Sequence, residues 1–196
     1  GLRNNVFGTL NIVQGAARAK VENFILVSTD KAVRPTNYMG ASKRIAELIC
    51  QAFMKKSKTS KFAIVRFGNV LGSRGSLIEK LKIAKKEGQN IFDLTHEDMT
   101  RFWITIEDAV KFVSDCINKM EGGEIFVPKM PSVFIKDLIK SIYPTCKIKN
   151  IGIRPGEKID EMLISEIEST DAYELKNGYA LITKKTYFSS KLKDKL

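Results

Sequence analysis

Apolar residues recur at Val6, Leu10, Val13 and Ala17, three or four positions apart, which predicts a helix over residues 4–19 with one buried stripe. Two unbroken apolar runs follow, NFILVS at 23–28 and KFAIVRF at 61–67. Their length and their β-branched and aromatic content predict strands covered on both faces. Between them, Ala41, Ile45, Ala46, Ile49 and Phe53 keep helical spacing and predict a second helix over 37–56. Helix, strand, helix, strand is the alternation of a parallel sheet in an α/β core.

Beyond residue 75 the pattern is less regular. It predicts a helix at 76–87, a strand at 91–94, and an apolar segment at 102–104 running into a helix at 107–120. A strand at 124–127, a helix at 133–142, a strand at 148–151, a short helix near 158–163 and an apolar stretch at 172–183 follow. The last ten residues are basic and polar and are expected to fray.

With 196 residues, 43% of them hydrophobic, the chain can bury one substantial core with at most a small lobe beside it. A net charge of +11 invites a nucleic-acid reading, but the basic residues are scattered through 55–61, 80–86, 147–149 and 184–195. That scatter suits solvated faces, and no nucleic-acid partner is expected. Cys50, Cys116 and Cys146 lie far apart with no CxxC spacing, which predicts reduced thiols and a cytoplasmic setting. The one histidine, His96, leaves no basis for a histidine triad or a multi-histidine metal site, so no metal is expected. No apolar run reaches the ~20 residues of a membrane span, and no signal peptide opens the chain, so a soluble protein is expected.

Ligands of an open parallel sheet collect beyond the carboxyl ends of its strands. Ser28, Thr29, Asp30 and Lys31 stand at the first such end, where a hydroxyl, a carboxylate and an ammonium can give, take and orient a proton. The same residues also suit a plain turn with Asp30 paired to Lys31 in solvent. After the second strand, NVLGSRGS at 69–76 offers two glycines that let backbone approach a ligand, or simply a flexible loop. Arg154-Pro155-Gly156-Glu157-Lys158 reads locally as a turn before a helix.

Taken together, SerThrAspLysAlaVal at 28–33, ProThrAsn at 35–37, MetGlyAlaSerLysArg at 39–44 and ArgPheGlyAsnValLeuGlySer at 66–73 resemble the UDP-N-acetylglucosamine 4,6-dehydratases of bacterial polysaccharide biosynthesis, which are extended short-chain dehydrogenases. The resemblance runs from Asn4 to about residue 183. It implies a truncated Rossmann-type parallel sheet with a smaller α/β substrate-binding lobe. Residues 1–75 would carry the catalytic part of the NAD(P)-binding domain. Residues 76–196 would form mainly the nucleotide-sugar lobe, with some segments returning to the core.

Two departures from the family pattern stand out. No GxGxxG turn occurs, so roughly a hundred residues of Rossmann domain are expected to precede Gly1, and the chain alone is expected to bind NAD or NADP poorly. Met39 also occupies the tyrosine position of the TyrxxxLys pair, on the same helix face as Lys43. Tyr38 cannot replace that tyrosine, since five residues at about 100° each put it about 140° around the helix from Lys43. Some dehydratases of this family resemble this pattern, and their ThrAspLys triplet is credited with the missing phenol's work.

The resemblance implies hydride transfer from C4 of the sugar to the cofactor, loss of the C5 proton, loss of water across C5–C6, and hydride return to C6. Lys31 would be the base at C5, Asp30 the acid for the C6 hydroxyl, and Thr29 an aid at C4. A lysine base must be uncharged while it works, a state favoured by burial or a neighbouring cation such as Lys43. Ser28, Asn5 and Lys43 would hold the cofactor. Asn69, Ser73, Arg74, Thr100, Arg101, Arg154 and Glu157 would hold the UDP-sugar, with Arg101 and Arg154 suited to its phosphates. A 4-epimerase of the same fold and a catalytically silent binding module are the competing readings. When complete, the protein is expected to form a homo-oligomer and could be membrane-anchored through a preceding region.

Overall fold

The structure is a computed structural model that describes residues 1–73, 75–174 and the backbone of Tyr179–Ile182. Its helices are a π-helix at Arg3–Gly8, α1 (Thr9–Arg18), a 3-10 turn at Asp30–Ala32, α2 (Tyr38–Lys56), α3 (Leu77–Lys86), α4 (Ile106–Lys119), α5 (Ile135–Ile142) and α6 (Glu166–Ser169). Its strands are β1 (Asn23–Thr29), β2 (Lys61–Phe67), β3 (Asn69–Val70), β4 (Ile91–Leu94), β5 (Thr100–Ile104), β6 (Ile125–Pro128), β7 (Ser132–Phe134), β8 (Lys147–Asn150), β9 (Ala172–Glu174) and β10 (Tyr179–Ile182). They fall into two compact units. The first comprises Gly1–Phe67, Val110–Lys129 and the described residues from Met162 onward; the second comprises Gly68–Ala109 and Met130–Glu161.

In the first unit a five-stranded sheet runs β1-β2-β6-β10-β9. β1 pairs parallel to β2 from Asn23 opposite Lys61 to Thr29 opposite Phe67, and β2 pairs parallel to β6, whereas β10 is antiparallel to both its neighbours. The interior strand β2 is buried from Phe62 to Arg66, which is why its sequence loses the alternation of a half-exposed strand. Ala63, Val65, Phe112, Cys116, Met120 and Phe126 pack into one cluster on this sheet. At about 25 cal/mol per Å² of apolar surface removed from water, each large side chain in it contributes roughly 1.5–3 kcal/mol.

The second unit is built on a three-stranded sheet, β3-β5-β7, and a separate parallel pair, β4 with β8. Leu81, Leu94, Met99, Trp103, Ile135 and Ile139 form the centre of its core.

Several expected elements take different forms. The helix expected over 4–19 begins as the π-helix. The buried face of α2 runs through Ser42, Ala46 and Cys50, while Ile45 of the expected apolar pattern is exposed. The helix expected near 158–163 does not form, because the carbonyls of Lys158 and Ile159 accept side-chain hydrogen bonds from Arg101 instead. The turn of helix lies later, at α6, where Ser165 and Glu168 make a capping box. Residues 133 and 134, expected to open a helix, belong instead to the strand β7. Among the described residues no helix is long and apolar enough to cross a membrane. The last ten residues lie outside those described.

Candidate active site

β1 ends at Thr29, where the chain turns through the 3-10 segment Asp30–Ala32 with the Thr29 side chain accepting from the Lys31 N–H. Asp30 is fully buried. Its Oδ1 accepts hydrogen bonds from Thr29 Oγ1 at 2.7 Å and Lys31 Nζ at 2.9 Å. Its Oδ2 is buried without a hydrogen-bond partner among the described residues. An unpartnered buried carboxylate oxygen is costly unless something else donates to it, which marks this oxygen as a contact point for a ligand or a further protein group. The Lys31 side chain is 29% exposed, so the pair is neither a solvent-facing turn nor sealed in the core.

α2 starts beside this turn. Asn37 caps it by accepting from the Gly40 N–H at 2.9 Å. Gly40 is required there, because a Cβ at this position would lie 2.4 Å from the Lys31 carbonyl oxygen. The first turn is also tied to the π-helix, where Asn5 Nδ2 donates to Ser42 Oγ at 2.8 Å and Ser42 Oγ donates to the Met39 carbonyl at 2.7 Å. Met39 is 44% exposed and Tyr38 is 92% exposed, while Lys43 is half-buried one turn beyond Met39.

Of the residues expected at the cofactor, Asn5 gives its amide to Ser42, and Ser28 gives its hydroxyl to Glu47 Oε1 at 2.6 Å. Both groups are thus engaged within the first unit, and Lys43 is half-buried on α2. The residues fit the nicotinamide end of a dinucleotide through Lys43 and the unpartnered Asp30 Oδ2.

The remaining expected residues belong to the second unit. Asn69 is half-buried on β3, opposite Trp103 of β5. Ser73 is exposed in a turn flanked by Gly72 and Gly75, both at positive φ, and Arg74 lies outside the described residues. Thr100 Oγ1 donates to Asp160 Oδ1 at 2.6 Å. The guanidinium expected to pair with a phosphate, that of Arg101, donates instead to the carbonyls of Thr100, Ile159 and Lys158. Arg154 and Glu157 close a β-turn, with the Glu157 N–H on the Arg154 carbonyl at 3.0 Å and Gly156 at φ 76°.

The sequence of the polysaccharide biosynthesis protein family matches residues 1–183. The chain belongs to that family. It is 41% identical over 182 residues to the UDP-N-acetylglucosamine 4,6-dehydratase (inverting) of Campylobacter jejuni, covering 92% of this chain and 54% of that protein. It is 37% identical to the UDP-glucose 4-epimerase of Rickettsia rickettsii, again over 92% of this chain and 54% of the other. The solved structure of Pen from Bacillus thuringiensis superposes with a TM-score of 0.87 at 34% identity, covering 96% of this chain and 60% of that one. The family resemblance read from the ThrAspLys and MetGlyAlaSerLys segments therefore holds, as does the α/β fold built on a parallel sheet. The chain spans about half the length of the curated relatives it matches.

Two further fully buried charges, Arg66 and Glu47, were not among the expected residues. Arg66 is fully buried in β2 and reaches Glu47 through Nε at 2.8 Å and Nη2 at 2.7 Å. It also reaches Glu168 through Nη1 at 3.0 Å and Nη2 at 2.8 Å. Burial opposes the Arg66 charge, but the hydrogen bonds and charges of Glu47 and Glu168 outweigh it and raise its pKa. The available signal was an arginine inside an otherwise apolar strand, which demands a buried acid somewhere. Glu47 connects this cluster to the end of β1 through Ser28. A separate groove of about 540 Å³ on the outer side of α2, lined by Leu48, Ala52, Ile125 and Ile167, contains none of the expected catalytic residues.

Proposed function

We propose that the protein is a nucleotide-sugar 4,6-dehydratase that uses NAD or NADP and acts on UDP-N-acetylglucosamine. The observation that carries this reading is the contact of Asp30 Oδ1 with both Thr29 and Lys31, with Oδ2 buried and unpartnered. An epimerase needs no acid and base for elimination across C5–C6; this turn supplies both. When bound, the nicotinamide supplies a hydride acceptor for C4 and the hydride delivered to C6.

The proton balance closes on the three side chains. Thr29 accepts the proton of the C4 hydroxyl while passing its own to Asp30 across the 2.7 Å contact. Lys31, which must enter this step as the amine, takes the C5 proton. Asp30 then protonates the C6 hydroxyl, which leaves as water. The hydrogen lost from C4–OH is thus the one that departs with the C6 oxygen, and the proton that Lys31 takes from C5 is matched by one returned to C5 as hydride reaches C6. Met39 in place of a phenol fits this scheme, because the Thr29–Asp30 contact already accepts the C4 proton. Lys43 orients the cofactor ribose, while Arg154, Glu157, Asn69 and Ser73 take the nucleotide-sugar, with Arg154 forking onto the diphosphate.

The test is incubation of the full-length protein with UDP-N-acetylglucosamine and NAD or NADP, followed by mass spectrometry. A product lighter by one water supports the proposal. A C4 epimer of unchanged mass, or no conversion, overturns it.

A further inference from the structure

β1, β2 and β6 run parallel, so the three connections that enter them, from α1, α2 and α4, reach the sheet at one end. Their backbones are joined there. The Lys61 N–H donates to the Glu22 carbonyl at 2.8 Å, and the Gly123 N–H donates to the Phe62 carbonyl at 2.9 Å. A Cβ added at Gly122 would meet Lys61 at 3.6 Å. The Thr29–Lys31 turn lies at the other end of β1, roughly 20 Å away at about 3.3 Å per residue.

Basic residues that are far apart in sequence meet on this end. Arg18, Lys20, Lys55, Lys56 and Lys58 are exposed, and none of the five takes part in an ion pair among the described residues. Acids are fewer. Glu22 is exposed, and Asp171, just before β9, lines a groove with Lys55 and Lys56. Glu121 is paired with Lys61 at 3.3 Å, and Glu124 is buried with its two oxygens on the N–H groups of Glu121 and Gly122.

The helix dipole favours cations in a last turn, which accounts for Arg18, Lys55 and Lys56. Lys20 and Lys58 lie beyond the helix ends. Lys20 also holds φ at 55°, a left-handed conformation that glycine or asparagine ordinarily supplies after a helix. Residues 19–22, 57–60 and 120–124 contain no aromatic side chain, and four of the five cations are lysines. Nucleic-acid sites stack bases on aromatic faces or fork arginines onto them. Ammonium groups spread over three loop ends suit instead the diffuse negative charge of lipid headgroups. Val21, 39% exposed, adds an apolar contact beside Lys20.

We propose that this end of the first unit docks on the anionic headgroups of a lipid bilayer, with the Thr29–Lys31 turn on the side away from the lipid. Docking of this kind does not depend on which reaction that turn performs.

The test is sedimentation of the protein with vesicles of phosphatidylcholine alone or of phosphatidylcholine mixed with phosphatidylglycerol. Binding should be confined to the mixed vesicles and should be released by salt, which screens exposed charges. Each basic residue near an anionic surface contributes about fivefold in binding, so Lys55→Gln/Lys56→Gln/Lys58→Gln should weaken it on the order of a hundredfold and Arg18→Gln/Lys20→Gln about twentyfold. Arg3→Gln/Arg34→Gln/Lys129→Gln removes three charges from the opposite end, at the start of the π-helix, after the 3-10 turn and after β6, and should change binding by less than about twofold. Equal losses in the two triple variants would trace binding to net charge, and equal binding to both kinds of vesicle would trace it to apolar contact; either result overturns the proposal. Wild-type binding in Arg18→Gln/Lys20→Gln overturns it as well, because the connections would then not act as one surface. So does a single-stranded oligonucleotide that binds more tightly than the vesicles and is lost in the same variants, since the face would then serve nucleic acid.

Discussion

Arg66 donates to both carboxylate oxygens of Glu168, a residue 102 positions later in the chain. On its other side it donates to both oxygens of Glu47, so one guanidinium ties β2 to α2 and to α6. Removing a single partner from such a buried group leaves an uncompensated charge. Arg66→Met should destabilise the protein by about 3–5 kcal/mol, a large part of a typical domain's stability. Chemical denaturation reads this directly, and an unchanged midpoint would show that the cluster contributes nothing.

The same cluster sets an acid limit. Burial alone would raise the Glu168 pKa, but the hydrogen bonds and charge of Arg66, with help from Ser165, bring it down to about 2. A carboxyl depressed in the folded state contributes stability that is fully present above its ordinary value of about 4.3 and is lost as pH falls toward its folded value. Thermal unfolding between pH 5 and pH 2 should therefore show a steep decline that is shallower in Glu168→Gln. Parallel curves for the two proteins would contradict the assignment.

The thiols give an independent check on the core. Burial, with Glu47 adding to it, pushes Cys50 up to about 12, and burial does the same for Cys116. Cys146 is buried as well. Because the thiolate is the reactive form, a thiol reagent at pH 8 should label none of the three in the folded protein and all three after denaturation. Rapid labelling of Cys50 in the native state would mean that α2 does not pack on β2 as described.

The sheet was legible because its strands announce themselves as unbroken apolar runs, although only β2 is buried nearly throughout and β1 is mostly half-buried with Val27 exposed. NFILVS and KFAIVRF fall on β1 and β2 within a residue of their ends. Less visible were features decided by long-range partners. Glu47 lies on α2 and is fully buried, which Arg66 from the next strand, together with Arg44 and Ser28, makes tolerable. The helix expected near 158–163 was lost to Arg101 and Thr100, about 60 residues earlier, which claim the carbonyls and side chain that helical turns would need. In the candidate site, the ThrAspLys triplet was visible as chemistry, but the division of labour between the two oxygens of Asp30 was not. Nor does any local pattern reveal that Ser28 and Asn5 serve the scaffold through Glu47 and Ser42.

Gly40 offers a test of how closely α2 must approach the Asp30–Ala32 turn proposed to be catalytic. In an ordinary helix interior, Gly→Ala stabilises by about 0.5–1 kcal/mol, and Gly15→Ala on α1, where an added Cβ meets nothing within 4 Å, should do so. At Gly40 the added methyl would lie 2.4 Å from the Lys31 carbonyl oxygen and 3.1 Å from Pro35 Cβ. Backbone must shift to relieve this, at about 1–3 kcal/mol. The shift moves Lys31, so Gly40→Ala should lower kcat more than it raises KM. A gain in stability with unchanged kcat would show that the approach is looser than the structure has it.

Asp30 and Lys31 can be separated in time. In the proposed sequence Asp30, through Thr29, receives the C4 proton, and Lys31 acts only afterwards at C5. In single turnovers Lys31→Met should therefore still build up reduced nicotinamide, while the sugar keeps its C5 hydrogen in deuterated water and no water is lost. Asp30→Asn cannot accept the first proton, and reduced nicotinamide should build up far more slowly. Loss of a positioned acid or base typically lowers the rate by about 10²–10⁴-fold, so both variants should be nearly silent in overall turnover and differ only in these partial reactions. Fast nicotinamide reduction in Asp30→Asn would assign the first proton to another group and leave Asp30 only the C6 step. C5 exchange surviving in Lys31→Met would remove Lys31 as the base. Each result points to a different atom of the same 2.9 Å contact, which is why the two variants are informative only as a pair.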